Sequence, residues 1–401
     1  MSRKLRGAFQ QMIGVAFLFA ALCSSAYAQD IEQPQSFSQA QMLRQTGDYD
    51  AAIEMLRSIL RDKPNNISIR EELGYALLLD GQLAAAQYQF EILKERSAIS
   101  EQRALYIAVL RRITAERPIG VSAILSYAPT SNLNQGTDNT TLTTNVLGTG
   151  VIAPESRRIS GWEGRIGLRG YIRGNIGNNG RIVFDWRGER HFYSTLFSPE
   201  TEIEVGLTAS RNYLAGDFGA RVFRIERDRE RGDYARTGLS VFATRQIAPS
   251  QHIDGFVQFS DLKSERTTSG DGLLTQVSLG YTIAPNPAST VRFGLLIEHT
   301  NTELDAQSYV SQAATLNAST AFQGGYELSG QAMAGHRQFD SALGFAREDA
   351  FSSLSVTIYN SQYSFSGLVP KLTCTMTSTS SNVALFDVQA QTCGIALSRR
   401  F

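Results

Sequence analysis

The spacing of apolar positions changes once along this chain, and the change divides it. From residue 36 to 117 apolar residues recur at helical spacing in a background of Ala, Leu, Gln, Glu and Arg, with Gly nearly confined to turns. Helices are predicted there. From Ile119 onward the period falls to two, the signature of strands with two unlike faces. Val291, Phe293, Leu295 and Ile297 alternate with Arg292, Gly294, Leu296 and Glu298, and Ile203, Val205 and Leu207 stand against Glu202, Glu204 and Thr208. Fourteen such segments can be marked. The last runs from Gln391 to Phe401, with Cys393, Ile395, Leu397 and Phe401 in one phase and Gly394, Ala396 and Ser398 in the other.

The helical part repeats. Gly47, Ala52, Leu56 and Ile59 recur 34 residues later as Gly81, Ala86, Phe90 and Leu93, and Leu73-Gly74 and Pro64 fall where the tetratricopeptide pattern has them. Small Ala52 and Ala86 let paired helices approach, Gly47 and Gly81 open the turn between helices, and Pro64 ends one. The segment therefore resembles two tetratricopeptide repeats followed by a helix near residues 99 to 116. Stacked pairs of this kind leave a concave face suited to an extended peptide or another protein.

A soluble sandwich shows the same period-two alternation, so other features must choose. Short connections near Gly174 to Gly180, Ala215 to Asp217, Ala248 to Gln251, Ala284 to Ser289 and Gln323 to Gly325 alternate with generally longer, polar ones. Counted in order, the short turns follow even strands, as periplasmic turns do in bacterial outer-membrane barrels. Both ends of the strand region then lie on the periplasmic side, with the helices. Charge sits in one phase only: Glu163, Arg165, Arg169 and Arg173 against Ile166, Leu168 and Ile172, and Asp185, Arg187 and Glu189 against Ile182, Phe184 and Trp186. Closure into a barrel satisfies every strand edge, as bilayer hydrocarbon requires. The expected fold is an N-terminal tetratricopeptide-like helical domain followed by a 14-stranded antiparallel outer-membrane β-barrel. Such a barrel is wider than the side-chain-filled eight-strand class, so a passage or a plugged lumen is expected.

The N-terminus reads as an export signal. Arg3, Lys4 and Arg6 precede an apolar stretch from Met12 to Leu22 and a small-residue cleavage site at Ala26-Tyr27-Ala28. The apolar stretch is about 11 residues, short of the roughly 20 a spanning helix needs. Leu22 before Cys23 departs from a lipobox. The expected divisions are a signal peptide over 1–28, a periplasmic helical domain over 29–117 and the barrel over 118–401. Lys and Arg balance Asp and Glu at 38 each; removing Arg3, Lys4 and Arg6 leaves 35 against 38, about minus 3, so no basic field attracts nucleic acid.

The search for chemistry is negative. Gly148-Thr149-Gly150-Val151-Ile152-Ala153 matches a dinucleotide fingerprint formally, but Pro154 follows and no strand–helix unit surrounds it. His191, His252, His299 and His336 lack metal-ligand spacing. His191, near Glu189 and Ser194, is read as a solvated residue toward an outer loop, since no nucleophile motif stands beside it. No catalytic, cofactor or metal residue is expected. Folding the last hairpin about Ser380 to Phe386 sets Cys374 opposite Cys393 in the outward phase, where a cross-strand disulfide is possible in an oxidising compartment.

Signal, short helical repeat and 14-strand barrel together resemble the surface lipoprotein assembly modulator family of outer-membrane exporters. Three stretches are similar to that family: Ala128-Pro-Thr-Ser-Asn-Leu-Asn134, Gly367-Leu-Val-Pro-Lys-Leu372, and Ser381-Asn-Val-Ala-Leu-Phe-Asp387 leading to Leu397-Ser-Arg-Arg-Phe401. Phe386 departs from it, where tyrosine is more usual, and the paired cysteines are not a family feature. The resemblance implies translocation rather than catalysis. The partners it implies are a protein cargo, either a surface lipoprotein or a secreted haem-binding-type protein, together with outer-membrane lipid and the barrel assembly machinery. An exopolysaccharide exporter also joins such repeats to a barrel, but with many more of them, and a passive solute channel needs no helical domain.

Overall fold

The computed structural model describes residues 35–96, 100–144, 148–177, 179–194, 198–213, 215–228, 233–248, 250–264, 270–286, 288–340, 346–360, 363 and 368–399. The signal segment read at 1–28 lies outside them, as does Phe401.

Five helices come first: α1 (Gln35–Thr46), α2 (Tyr49–Asp62), α3 (Ile67–Leu79), α4 (Leu83–Arg96) and α5 (Ser100–Glu116). Asp48 and Asn66 cap α2 and α3 by accepting from the Ala51 and Ile69 amides at 3.3 and 3.1 Å. Gly47 and Gly81 adopt φ of +88° and +78°, a left-handed conformation that lets each chain turn tightly between helices. The positions that recur at 34 residues are the core. Ala52, Leu56, Ala86 and Phe90 are fully buried, and Ile59 and Leu93 nearly so. Phe90 packs between Tyr75 and Tyr106, with ring centroids 5.1 and 6.0 Å away. No helix among the described residues is long and apolar enough to cross a membrane.

The strands close into one antiparallel barrel. In chain order they are β1 (Ile119–Thr130), β4 (Gly161–Ile176), β5 (Gly180–Tyr193), β6 (Glu200–Tyr213), β7 (Gly216–Asp228), β8 (Tyr234–Ala248) and β9 (Gln251–Ser264). There follow β10 (Gly272–Asn286), β11 (Ser289–Thr302), β12 (Tyr309–Ala321), β13 (Tyr326–Phe339), β14 (Glu348–Asn360), β15 (Leu368–Ser381) and β16 (Val388–Arg399). A separate hairpin, β2 (Thr141–Thr144) and β3 (Gly148–Val151), stands in the loop after β1; the formal dinucleotide match begins on β3, with only a single 3-10 turn, Pro154–Ser156, behind it.

The period-two pattern maps onto the two faces of the barrel wall. Leu168, Phe184, Leu207, Val241, Leu279, Leu295 and Ile395 all point outward and are exposed, as an apolar band facing lipid must be. Aromatic pairs flank the band, Tyr127 with Trp162 at one rim and Tyr213 with Phe218 at the other, at 5.5 and 5.6 Å. Such girdles sit at the two membrane interfaces. A closed wall with a polar interior and an apolar outer band places the protein in the outer membrane, with the helical domain on the periplasmic side.

Candidate functional site in the barrel lumen

Closure turns the polar phase of every strand inward, and the lumen is not uniform. Its β4–β7 wall is a ladder of opposite charges. Arg187 Nη2 donates to Glu202 and Glu204 at 2.8 and 2.9 Å, Arg221 Nη2 to Asp185 and Glu204 at 2.6 and 2.9 Å, and Arg227 Nη2 to Glu200 at 2.8 Å. Further round, Arg292 forms a two-pronged pair with Asp254, at 3.0 and 2.6 Å. Strand register explains the network, because Arg187 lies directly across from Glu204 and Arg169, and Glu189 from Glu202. Cations separate what would otherwise be facing carboxylates.

The neighbouring wall, β14–β16 with β1, is lined largely by hydroxyls and small groups. Ser355 pairs with Thr375 and Thr357 with Thr373 at 2.9 and 2.8 Å, and Ser122, Ser126, Ala128, Thr392, Gly394 and Ala396 continue the surface. The charged and hydroxyl walls adjoin along the β1–β4 ladder, where Ser122, Ser126 and Ala128 lie beside Arg169, Arg165 and Glu163.

His191 is not a loop residue. It belongs to β5, is 8 % exposed, and its Nδ1 stands 2.8 Å from a Glu163 carboxylate oxygen inside the ladder. The signal was present in the sequence: His191 shares the odd phase of Asp185, Arg187 and Glu189. Arg221, Arg227 and Asp254 take their places in the lumen by the same phase rule, as Arg292 does opposite in phase to Val291 and Phe293. Among the described residues, no group of His, Cys, Asp and Glu could hold a metal ion.

The helical domain sits at the periplasmic mouth. Asn65 Oδ1 accepts from the Ala288 amide at 3.0 Å, Asn175 Nδ2 donates to the Arg111 carbonyl at 3.2 Å, and Lys94 lies 3.9 Å from Asp217. These contacts fall on the turns after β4, β6 and β10, so the cap touches well-separated points of the rim. Between cap and wall lies a cavity of about 370 Å³, lined by Arg57, Arg61 and Arg70 of the helices and by Glu327, Tyr359 and Lys371 of the lumen. Arg70 donates to Gln89 Oε1 at 2.9 Å and to the Pro64 carbonyl at 3.1 Å. Burial pulls its pKa below the ordinary arginine value, opposed by Tyr88 and Glu327.

At the outer end the loop that follows β1 meets the segment from Ala384 to Gln389. Asn132 Nδ2 donates to the Gly136 and Gln389 carbonyls at 2.7 and 2.8 Å, and Thr137 Oγ1 and Asn139 Nδ2 both reach the Ala384 carbonyl, at 2.8 and 3.0 Å. Asn134 holds the far side of the same loop through the Arg157 carbonyl at 2.6 Å. Gly136 is required here, since a Cβ would lie 2.4 Å from the Arg157 backbone.

Cys374 and Cys393 are direct cross-strand partners in the β15–β16 ladder, with Cα atoms 4.0 Å apart and their sulfurs side by side. Mass spectrometry of the non-reduced outer-membrane protein is expected to find one peptide pair joined through them. Two free thiols would remove the bond and leave two small outward-facing side chains.

This wide, capped barrel has a sequence that matches a known one. A family model described as surface lipoprotein assembly modifier covers residues 206–401. Residues 206–401 carry that family's signature. The match to the surface lipoprotein assembly modifier family includes the stretches 367–372 and 381–387, whereas 128–134 lies outside it. The match and the closed barrel together are those of an outer-membrane transporter or channel.

No curated protein matches the sequence. Solved structures are similar to this chain only at low identity and low TM-score. A BenF-like porin from Pseudomonas fluorescens Pf-5 is 7% identical, with 70% of this chain and 98% of that one covered and a TM-score of 0.36. The outer membrane channel DcaP of Acinetobacter baumannii is 10% identical over 71% and 97%, with a TM-score of 0.38. CdiB from Acinetobacter baumannii is 10% identical over 70% and 60%, with a TM-score of 0.40.

Proposed function

We propose that the protein moves particular periplasmic proteins across the outer membrane through its barrel, the helical cap receiving the cargo. The cargo is a lipoprotein destined for the surface or a soluble secreted protein of the haem-binding type. The observation that carries this reading is the helical domain seated on the periplasmic mouth of a wide, polar barrel. Read as two tetratricopeptide repeats, its 34-residue recurrence provides a groove for an extended chain, directly below a lumen wide enough to take one. The ladder of opposite charges suits passage, because paired charges offer a wetted wall with little net field to trap a polypeptide. The barrel assembly machinery inserts the barrel, after removal of the signal segment at 1–28.

Co-expression with a candidate lipoprotein cargo in a heterologous outer membrane tests the reading. Surface protease access and antibody binding are expected to reveal cargo outside only with the full-length protein, and to be lost when residues 29–117 are removed. Cargo retained in the periplasm beside a correctly inserted barrel would defeat it, and sugar export would be measured next.

A further inference from the structure

Among the described residues, β8–β9 and β10–β11 shift register only beside their periplasmic hairpin turns, whereas the β1–β16 ladder is interrupted within the barrel wall. β1 registers with β4 without a break from Ile119 to Thr130, and β15 with β16 without a break from Leu368–Arg399 to Thr379–Val388. Between β1 and β16 the pairing is Leu125–Leu397, Ser126–Ala396 and Tyr127–Ile395, and then only Thr130–Thr392. Ala128 and Pro129, which continue that register opposite Gly394 and Cys393, do not pair. Neither do Ile124 and Ala123, opposite Ser398 and Arg399. Pro129 has no N–H to give a ladder, and Pro370, on the other side of β16, has none either. At Gly394 the strands lie close without laddering, since a Cβ there would sit 2.5 Å from that of Ala128.

The two ends of this seam differ. Outside, it is clamped: Thr392 Oγ1 donates to Thr130 Oγ1 at 2.9 Å, the Ser131 amide to the Gln391 carbonyl at 2.8 Å, and the Gln391 amide to Ser131 Oγ at 2.9 Å. The Asn132 and Thr137 bonds to Gln389 and Ala384 lie just above. Below Leu125 no β1–β16 pair is formed among the described residues. Each strand hydrogen bond broken inside hydrocarbon leaves two groups without water, so strands part where fewest bonds exist.

We propose that the β1–β16 seam, parting from its periplasmic end, is where a fatty-acyl chain passes between bilayer and lumen. The inference deepens the export reading, on which it rests for the source of that chain: a lipid-anchored cargo whose polypeptide occupies the lumen. The chemistry of the seam fits this occupant. Its own lumen-facing residues, Ser126, Ala128, Gly394 and Ala396, are uncharged, with Glu163 and Arg165 of β4 and Lys371 of β15 one strand away on either side, and its outer face carries exposed Leu125, Tyr127 and Ile395. The joints between the strands of the adjoining β4–β7 wall instead carry charge at the joint itself, as where Arg187 meets Glu204 and Glu189 meets Glu202. Cys374 and Cys393 join β16 to β15, so that β16 stays with the rest of the sheet as β1 leaves it.

The full-length protein is reconstituted in phosphatidylcholine vesicles containing a phosphatidylcholine with a diazirine near the end of one acyl chain. After illumination, labelled residues are located by mass spectrometry. Lumen-facing Ser122 and Ile124 of β1 are expected to be labelled about threefold or more above lumen-facing Ser240 and Phe242 of β8, which the sealed wall shields from hydrocarbon. In the Ser126→Cys, Ala396→Cys double variant, oxidation is expected to bring β1 labelling down to the β8 level and reduction to restore it. Should that variant fail to insert, Leu125→Cys with Leu397→Cys locks the same seam from outside. Labelling of β1 equal to β8 in the unlocked chain, or unchanged by the lock, would overturn the proposal. No cargo enters the measurement, so either failure leaves the export reading to its own test.

Discussion

Removing residues 29–117 is expected to convert an almost silent barrel into a steadily conducting one in planar bilayers. Fourteen strands enclose more space than side chains of this size fill, and the lumen-facing residues of β14–β16 and β1 are mostly Ser, Thr, Ala and Gly. What closes the path is the cap, which reaches the turns after β4, β6 and β10 and shares a cavity with lumen residues Glu327, Tyr359 and Lys371. Single-channel recordings of the full-length and truncated proteins decide the matter, with heat-modifiable gel migration confirming that both barrels are folded. Equal currents from the two would mean that the cap is not the stopper. The cap's rim contacts are polar and sparse, including an ion pair as long as 3.9 Å, and partly exposed pairs of this kind contribute about 0–1 kcal/mol each. A cap held this lightly can be displaced by an arriving chain.

The second large effect lies in the cap itself. Phe90→Ala is expected to destabilise the helical domain by about 3–5 kcal/mol, through lost apolar burial and the cavity left behind. Phe90 is fully buried between Tyr75 and Tyr106, and Gly74 is fitted to it so closely that a Cβ there would lie 3.2 Å from the ring. Net stabilities of single domains are about 5–15 kcal/mol, so the loss is a large share of the total. Urea unfolding followed by the helical far-ultraviolet signal measures it, with Leu105→Ala as the comparison. Leu105 is 49% exposed, and its truncation is expected to cost under about 0.5 kcal/mol. If the two variants unfold together, the core has been misplaced.

Much of this architecture is legible in the residues because it follows from periodicity. The phase that puts Leu295 in lipid and Arg292 in the lumen is visible as alternation, and the 34-residue recurrence selects Ala52, Leu56, Ala86 and Phe90, all fully buried. The short turns anticipated near Gly174 to Gly180, Ala248 to Gln251 and Gln323 to Gly325 are the periplasmic turns of the barrel. Other features have no periodic signature. His191 reads as a loop residue from its neighbours, although its phase belongs to the strand. The docking of the cap depends on single residues such as Asn65, which meets Ala288 at a separation of 223 residues. The interrupted seam is invisible for another reason: β1 and β16 alternate as regularly as strands that pair without a break, and register is a property of two strands together.

The clamp over the outer end of the seam also bears on how the barrel is made. Asn132 and its acceptor Gln389 are 257 residues apart, so the first strand emerges long before the residues that secure it. Closing so long a loop adds an entropic cost that grows with the logarithm of its length and falls on the last step. Until then β1 and the newest strand are two bare edges, each a template for pairing with another chain. Barrel closure is therefore the slow, aggregation-exposed moment in this protein's biogenesis, and the loop after β1 acts as a latch that only a finished chain can fasten.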